Sequence, residues 1–239
     1  INNAGTAELC AWNSITSSGL FGVNEAQLVY TTAEGGAGGA DSAGVLYSAT
    51  ARSNVPIRVI GYIDISEATA GTYATAPTLL VNMGPGVPRT GDIIQAPYTQ
   101  TSALATGTTV IPTDDTIPQN TEGDQYFTLT FTPTNAVNRL RHTTFGFCAP
   151  SVSGGMTEAL FQDAIAGALA ARNIIGEANR EGSPLGLRHD MAAGTTSSTI
   201  FNIRIGLNQA GTVTLNGRLG ARYYGGVAAS GYAIEEVCA

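Results

Sequence analysis

From Ser198 to Val237 the chain repeatedly alternates apolar and polar positions. Phe201, Ile203, Ile205 and Leu207 are interleaved with Asn202, Arg204 and Gly206, a period of two that gives a strand one apolar and one polar face. Asn208-Gln209-Ala210-Gly211 supplies turn chemistry, and Thr212 to Asn216 carries Val213 and Leu215 on one face, so the two runs read as a β-hairpin. Gly225-Gly226 interrupts again, and Tyr232 to Val237 reads as a last strand, paired inside a sheet because loose termini fray. Upstream, Tyr126 to Phe131 sets Phe127, Leu129 and Phe131 on one face. Thr132-Pro133-Thr134-Asn135 then turns the chain, and Asn138 to Phe147 is a further strand region. Arg188 to Gly194 reads as a loop leading into the strand from Ser198.

The first half is less regular. Trp12, Leu20, Phe21 and Val23 are scattered apolar anchors, Gln27 to Thr31 reads as a short strand, and Gly35-Gly36-Ala37-Gly38-Gly39 as a flexible loop. Val45-Leu46-Tyr47 predicts a strand. Val55 to Ile65 predicts a longer one, with Val55, Ile57, Val59, Ile63 and Ile65 on one face, Pro56 at its start or on an edge, and Gly61 marking a bulge or a close approach. Between Met156 and Ile175 a different period appears. Met156, Leu160, Ala164 and Ala168 recur every four residues, flanked by Phe161, Ile165 and Leu169, which by periodicity alone predicts an amphipathic helix. Gly167 within the run and Gly176 after it weaken that helix.

Composition narrows the function. The 239 residues carry a formal net charge of −7, which disfavours binding to a phosphate backbone. The basic residues are all arginine. Without lysine there is neither a Walker-A phosphate loop nor a Schiff-base nucleophile. Thirty glycines and ten prolines fit many turns between short strands. No apolar run is long enough to span a bilayer. No signal peptide is read at the start, and a chain beginning with Ile1 is expected to be part of a longer protein.

Site chemistry is sparse. His142 and His189 are the two histidines, with no H-E-x-x-H or H-x-H pair, and there is no G-x-S-x-G elbow. His189-Asp190 invites a catalytic reading, but a histidine beside an aspartate in a loop is far more often structural. Glu235 and Glu236 are neighbours on a strand and point to opposite faces, so they make no glycosidase pair. Asp114-Asp115, with Glu122 and Asp124 nearby, either holds Ca²⁺ or forms an ordinary polar turn. Tyr223-Tyr224 either stack on sugar rings or pack within the fold or an interface. Cys10, Cys148 and Cys238 have no zinc spacing and read first as small buried hydrophobes, with a Cys148–Cys238 disulfide as the minor alternative. The sequence therefore nominates no catalytic, cofactor-binding or metal residue.

Several segments, in order, carry a resemblance. Thr50 to Thr78, TARSNVPIRVIGYIDISEATAGTYATAPT, is similar over its whole length to a recurring segment of bacteriophage and prophage fibre-like virion proteins, with Tyr73 where Trp is usual. Gly84-Pro85-Gly86, Gly91-Asp92-Ile93-Ile94-Gln95, Pro112 to Gln119 with Glu122-Gly123, Gly211 to Gly217, Tyr224-Gly225-Gly226 and Glu235-Glu236 follow as they do in those proteins. The resemblance implies that Ala159-Leu160-Phe161-Gln162-Asp163 opens a β-hairpin, against the helical period, so Met156–Ile175 is expected to be mostly strand and turn.

The resulting expectation is an all-β chain of two β domains, residues 1–98 and 99–239, the second an antiparallel sandwich or jelly-roll-like head in a homotrimer. The trimer is also argued from Ile200, Phe145 and Phe147, which fall on otherwise polar strand faces and would need cover. The function expected from the resemblance is that of a non-enzymatic, fibre-type virion protein, assembled in the host cytoplasm and engaged in adhesion. It would bind other phage structural proteins and a host cell-surface glycan or protein, with loops such as Arg180 to Asp190 varying with host. No nucleic-acid binding, membrane insertion or cofactor is expected. A capsid decoration or neck-fibre position, or a polysaccharide-depolymerising tailspike, are the alternatives.

Overall fold

The computed structural model describes residues 7–12, 28–36, 38–39, 42–66, 68–69, 72, 75–82, 84, 86–176 and 182–239. Leu20, Phe21, Val23, Gln27, Ala37, Tyr73, Pro85 and Arg180, which the sequence reading used, lie outside them. The described secondary structure is strand throughout, apart from one 3₁₀ turn at Tyr224–Gly226, and the strands form several sheets paired almost entirely antiparallel. The chain divides into two units, Ile1–Arg89 and Thr90–Ala239.

Among its described residues the first unit has seven short strands: β1 (Ala11–Trp12), β2 (Leu28–Val29), β3 (Thr32–Ala33), β4 (Leu46–Ser48), β5 (Val55–Pro56), β6 (Gly61–Asp64) and β7 (Leu79–Asn82). β4 lies between β1 and β3, β2 pairs with β5, and β6 pairs with β7. The single long strand expected over Val55 to Ile65 is broken into β5 and β6, with residues 57–60 outside either. Its alternation holds from Val55 to Ile60 and fails beyond Gly61, where Ile63, expected on the face of Val55, is exposed. Gly61 does mark a close approach, because a Cβ there would run into the Val81 carbonyl of the facing strand.

In the second unit the strands are β8 (Ile93–Gln95), β9 (Tyr98–Thr101), β10 (Ala105–Gly107), β11 (Asp124–Phe131), β12 (Arg139–Phe145), β13 (Phe147–Pro150), β14 (Gly154–Gln162), β15 (Ala170–Gly176), β16 (Ser183–Pro184), β17 (Arg188–Ala192), β18 (Thr199–Leu207), β19 (Val213–Leu215), β20 (Gly217–Arg218), β21 (Ala221–Arg222) and β22 (Ser230–Val237). This unit starts earlier than residue 99. Gly91 N–H donates to the Cys238 carbonyl, Cys238 N–H to that of Asp92, and β8 pairs with the end of β22.

Three sheets surround the core. One runs β11-β18-β14-β15, the second β17-β12-β22-β8 with β9 also on β22, and the third β10-β19-β13-β16. Phe127, Phe131, Met156, Leu160, Phe201, Ile203, Ile205 and Leu207 from the first sheet meet Leu140, Tyr232 and Ile234 from the second and Cys148, Val213 and Leu215 from the third. This is a sandwich-like arrangement, and it is where the alternation of residues 201–207 is buried. The other face of the β14 sheet is also covered. Ile111 packs on Ala159 and Phe161, Ile111 N–H donates to the Leu207 carbonyl, and Arg204 donates to the carbonyls of Glu122 and Gly123.

That double cover explains the misleading period in Met156–Ile175. β14 and β15 form the antiparallel hairpin that the resemblance implied, joined by residues 163–169. Because Met156 to Phe161 are all buried, neither face of β14 needs polar residues and the period of two disappears. Two other expectations are corrected. Residues 199–207 and 213–215 are not a hairpin. β18 lies between β11 and β14 while β19 lies between β10 and β13, so the turn crosses from one layer to another. Arg188 to Ala192 is a strand, β17, paired with β12; its polar sequence suits an edge position.

Candidate functional site

The residues singled out for chemistry are dispersed through the second unit. His142 faces inward from β12 between Leu140 and Thr144. Its Nδ1 lies 2.6 Å from the Tyr232 hydroxyl, its ring centroid is 4.7 Å from that of Phe201, and its Nε2 is buried without a hydrogen-bond partner. Burial, reinforced by nearby His189, pushes its pKa down to about 4, against a smaller opposing effect of Asp190, so the imidazole is neutral at pH 7. His189 and Asp190 alternate across β17, and Asp190 instead pairs with Arg141 at 3.3 Å. Arg141 also reaches Glu235 at 3.3 Å, while Glu236 turns into the protein, so the two adjacent glutamates do face opposite ways.

The buried carboxylates are structural anchors that the sequence reading did not identify as such. Glu236 accepts hydrogen bonds from Gln95 Nε2, Asn138 Nδ2, and the hydroxyl and backbone N–H of Thr134. Burial alone would raise its pKa; these donors together outweigh it and leave the carboxyl below its ordinary value. Glu158, wholly buried on β14, accepts from Thr144 Oγ1 at 2.9 Å, Arg172 Nη1 at 3.2 Å and Gly186 N–H at 3.2 Å, tying strand to loop. Here burial wins and the pKa is raised despite those donors. The one local signal for either residue was a charge inside an otherwise apolar strand.

The acidic group at residues 114–124 divides among separate duties. Asp114 caps Thr116, Glu122 accepts from Gln119 N–H, and Asp124 accepts from the N–H and hydroxyl of Thr109. Among the described residues no group of three or more His, Cys, Asp or Glu is placed to hold a metal ion. The three cysteines are free. Cys148 sits in the core with Sγ 3.4 Å from Met156 Sδ, and its thiol is pushed up by burial.

Tyr223 and Tyr224 are where the molecule presents chemistry outward. They are not in a strand. They follow the β20–β21 hairpin and enter the 3₁₀ turn. The root of this loop is fixed by buried Asn216, whose Nδ2 donates to the carbonyls of Thr101 and Ala103 and whose Oδ1 accepts from Ser230 Oγ at 2.7 Å. Tyr223 stacks on Phe147, with centroids 5.8 Å apart and planes at 23°, while Tyr224 meets Tyr223 at 5.8 Å with planes at 58° and is 75% exposed. Packing therefore accounts for Tyr223 and leaves Tyr224 available. The β20–β21 turn is Leu219-Gly220, with φ of 47° and 76°, the type I′ hairpin for which Asn-Gly is favoured. Leu219 and Tyr224, both non-glycine at positive φ, are also both exposed. Packing within the chain therefore does not account for either side chain.

Phe145, Phe147 and Ile200 differ in their surroundings. Gly146, at φ 104°, breaks the alternation between β12 and β13. The Phe145 ring lies over Gly231 and that of Phe147 on Tyr223, whereas Ile200 is 46% exposed. Phe147 thus finds cover within the chain, while Phe145 stays 36% exposed. No helix among the described residues is long and apolar enough to cross a membrane.

No protein-family model matches this chain, and no curated protein matches it. Among solved structures it is similar to dimeric latent PorU from Porphyromonas gingivalis, with TM-score 0.30 and 11% identity over 63% of this chain and 14% of that one. It is also similar to the infectious bursal disease virus VP2 subviral particle, with TM-score 0.28 and 12% identity over 70% and 42%. The Gx strain of infectious bursal disease virus gives TM-score 0.30 and 15% identity over 73% and 48%. The chain spans less than half the length of each of these proteins. Likenesses at this level carry no functional argument, and the all-β assignment stands on the strand pairing itself.

Proposed function

We propose that this chain is a non-enzymatic structural protein of a bacteriophage particle, a fibre-type component whose second unit is a jelly-roll-like head engaged in adhesion to the host surface. The observation that carries this reading is the loop from Asn216 to Val227. It displays an exposed tyrosine and strained apolar backbone positions from a root anchored by Asn216, Ser230 and Phe147. Recognition residues belong on such loops, held by a scaffold rigid enough to present them in one geometry. The ordered fibre-like segments of the sequence support the virion assignment, and Tyr224-Gly225-Gly226 is one of them.

The homotrimer is part of the same proposal. Leu28, Tyr30, Ile60, Ile63, Leu79 and Leu80 of the first unit and Ile200 of the second are all exposed, and a threefold assembly would give such residues cover. Three copies would also present three identical loops, so individually weak contacts gain by effective concentration.

Antibody-gold labelling of the particles, together with adsorption of the purified full chain to host cells, tests the reading. Expected are labelled particles, saturable cell binding and competition with phage adsorption. Unlabelled particles or unblocked adsorption would overturn it. Light scattering should give about three times the 24.5 kDa chain mass. Incubation with host polysaccharide should release no reducing ends, and a steady protein-dependent release would favour a tailspike instead.

A further inference from the structure

Arg222 shares the loop with Tyr224 and has an unusual environment for this protein. It is exposed at the end of β21, and none of the four salt bridges among the described residues involves it. Its guanidinium lies against the turn that carries Tyr224: a Cβ on Gly226 would stand 3.0 Å from Nη1. Gly226, at φ 95°, therefore both makes the turn and leaves room for the arginine. Among the described residues, the segments that form the loop and meet its root carry no acidic side chain. Residues 205–234 contain Arg218 and Arg222 but no Asp or Glu, and the segment 96–113 that meets the loop root is uncharged. Arg218, on the other face of the hairpin, has its Nε buried without a hydrogen-bond partner. In a chain of net charge −7, Arg222 is thus an exposed cation on a loop whose own sequence offers it no counter-charge.

We propose that Tyr224 and Arg222 form a binding site for an anionic saccharide, a glycan unit bearing a carboxylate or phosphate. This deepens the adhesion reading and rests on it. A pyranose ring has an apolar C–H face and a polar rim. The face packs on the exposed phenol ring of Tyr224, and the acidic substituent on the rim meets the guanidinium fork, which matches carboxylate and phosphate geometry with two parallel hydrogen bonds. The ring of Tyr224 rests against that of Tyr223, at a centroid distance of 5.8 Å, which reduces the ordering needed on binding. An anionic lipid surface offers similar headgroup charge, but it would face the whole chain, whose net charge repels it. A saccharide chain engages the loop alone.

The test uses the full chain and its R222Q, Y224A and Y224F variants on an array of carboxylated, phosphorylated and neutral saccharides, with alginate as the probe in solution and phosphatidylglycerol vesicles alongside. Expected is binding to acidic saccharides that weakens as salt is raised. Apparent affinity should fall at least about tenfold in R222Q and in Y224A but be retained in Y224F, which keeps the ring. Thermal unfolding should be unchanged across the variants, since both side chains are exposed. Acidic spots left dark, neutral saccharides bound equally well, both variants binding like the parent, or vesicles bound in place of saccharides would each overturn the site. Host-cell binding that persists in R222Q and Y224A removes this site and leaves adhesion standing. Absence of cell binding by the parent chain removes the adhesion reading itself.

Discussion

Ile63 and Leu80 face each other across β6 and β7 of the first unit, and Leu160 and Ile203 face each other across β14 and β18 of the second. The two pairs have the same chemistry and the same antiparallel pairing, yet Ile63 and Leu80 are 46% and 65% exposed while Leu160 and Ile203 are fully buried. Strand pairing satisfies the backbone but removes little apolar surface from water. A second layer does that. The first unit has strands of two to four residues, and among its described residues only Leu46, Tyr47 and Val55 are buried hydrophobics. The second stacks three sheets around one core and covers the outer face of the β14 sheet as well. Alternation in sequence thus marks which residues share a face, and a face becomes core only where another element arrives to cover it.

The sharpest way to break this comparison is a matched pair of truncations. Leu160→Ala should destabilise the chain by about 2–5 kcal/mol through lost burial and a residual cavity, whereas Leu80→Ala, measured on chains diluted until they dissociate, should stay within about 0.5 kcal/mol. Denaturant midpoints of the full chain would measure both. Equal losses would mean that the first unit hides its apolar residues as well as the second does.

Acid should separate the units next. The folded pKa of His142 lies near 4, below its unfolded value of 6.5. The unfolded chain therefore takes up this proton first as pH falls. The stability tied to neutral His142 is complete above pH 6.5 and is lost progressively down to about pH 4, on the order of 3 kcal/mol. Glu236, with its lowered pKa, adds a further loss below pH 4.5. Glu158 acts in the opposite sense, since its raised pKa lets the folded state bind the proton first. Unfolding followed from pH 7 to 4 should show the loss in parent chain and a flatter profile in His142→Phe; identical profiles would remove His142 as the cause.

Glu236→Gln is expected to weaken the second unit by about 1–3 kcal/mol. An amide replaces an acceptor-only carboxylate among the N–H groups of Thr134, Asn138 and Gln95, so one of its own N–H groups meets a donor. Hydrogen exchange should localise the effect to β8, β22 and residues 134–138. The smallest expected change runs the other way. Leu219→Asn, which suits the first position of a type I′ turn, should stabilise by about 0.5–1 kcal/mol; a loss in thermal unfolding would mean that Leu219 packs within the chain after all.

Much of this architecture was readable locally. Alternation located β11, β12, β18 and β22, turn residues separated them, and the opposite directions of Glu235 and Glu236 followed from strand geometry alone. His142 could also have been recognised as inward, because it shares the period of Leu140 and Thr144. The helical period of residues 156–169 misled because a strand covered on both faces no longer alternates. Asn208 to Gly211 looked like a hairpin turn because turn chemistry reverses or redirects a chain without specifying which strand comes next.

What the sequence by itself determined was the faces of the long strands, which depend on residues close together along the chain; the all-β class also needed the resemblance, because periodicity alone reads Met156–Ile175 as helix. What only the tertiary structure decided was which faces became core, that Glu158 and Glu236 are buried anchors, and that Tyr223 packs on Phe147 while Tyr224 and Arg222 stand exposed on one turn. The reason is physical: burial, desolvation and the company a charge keeps are set by strands distant in sequence, and the local pattern carries no record of which of them will arrive.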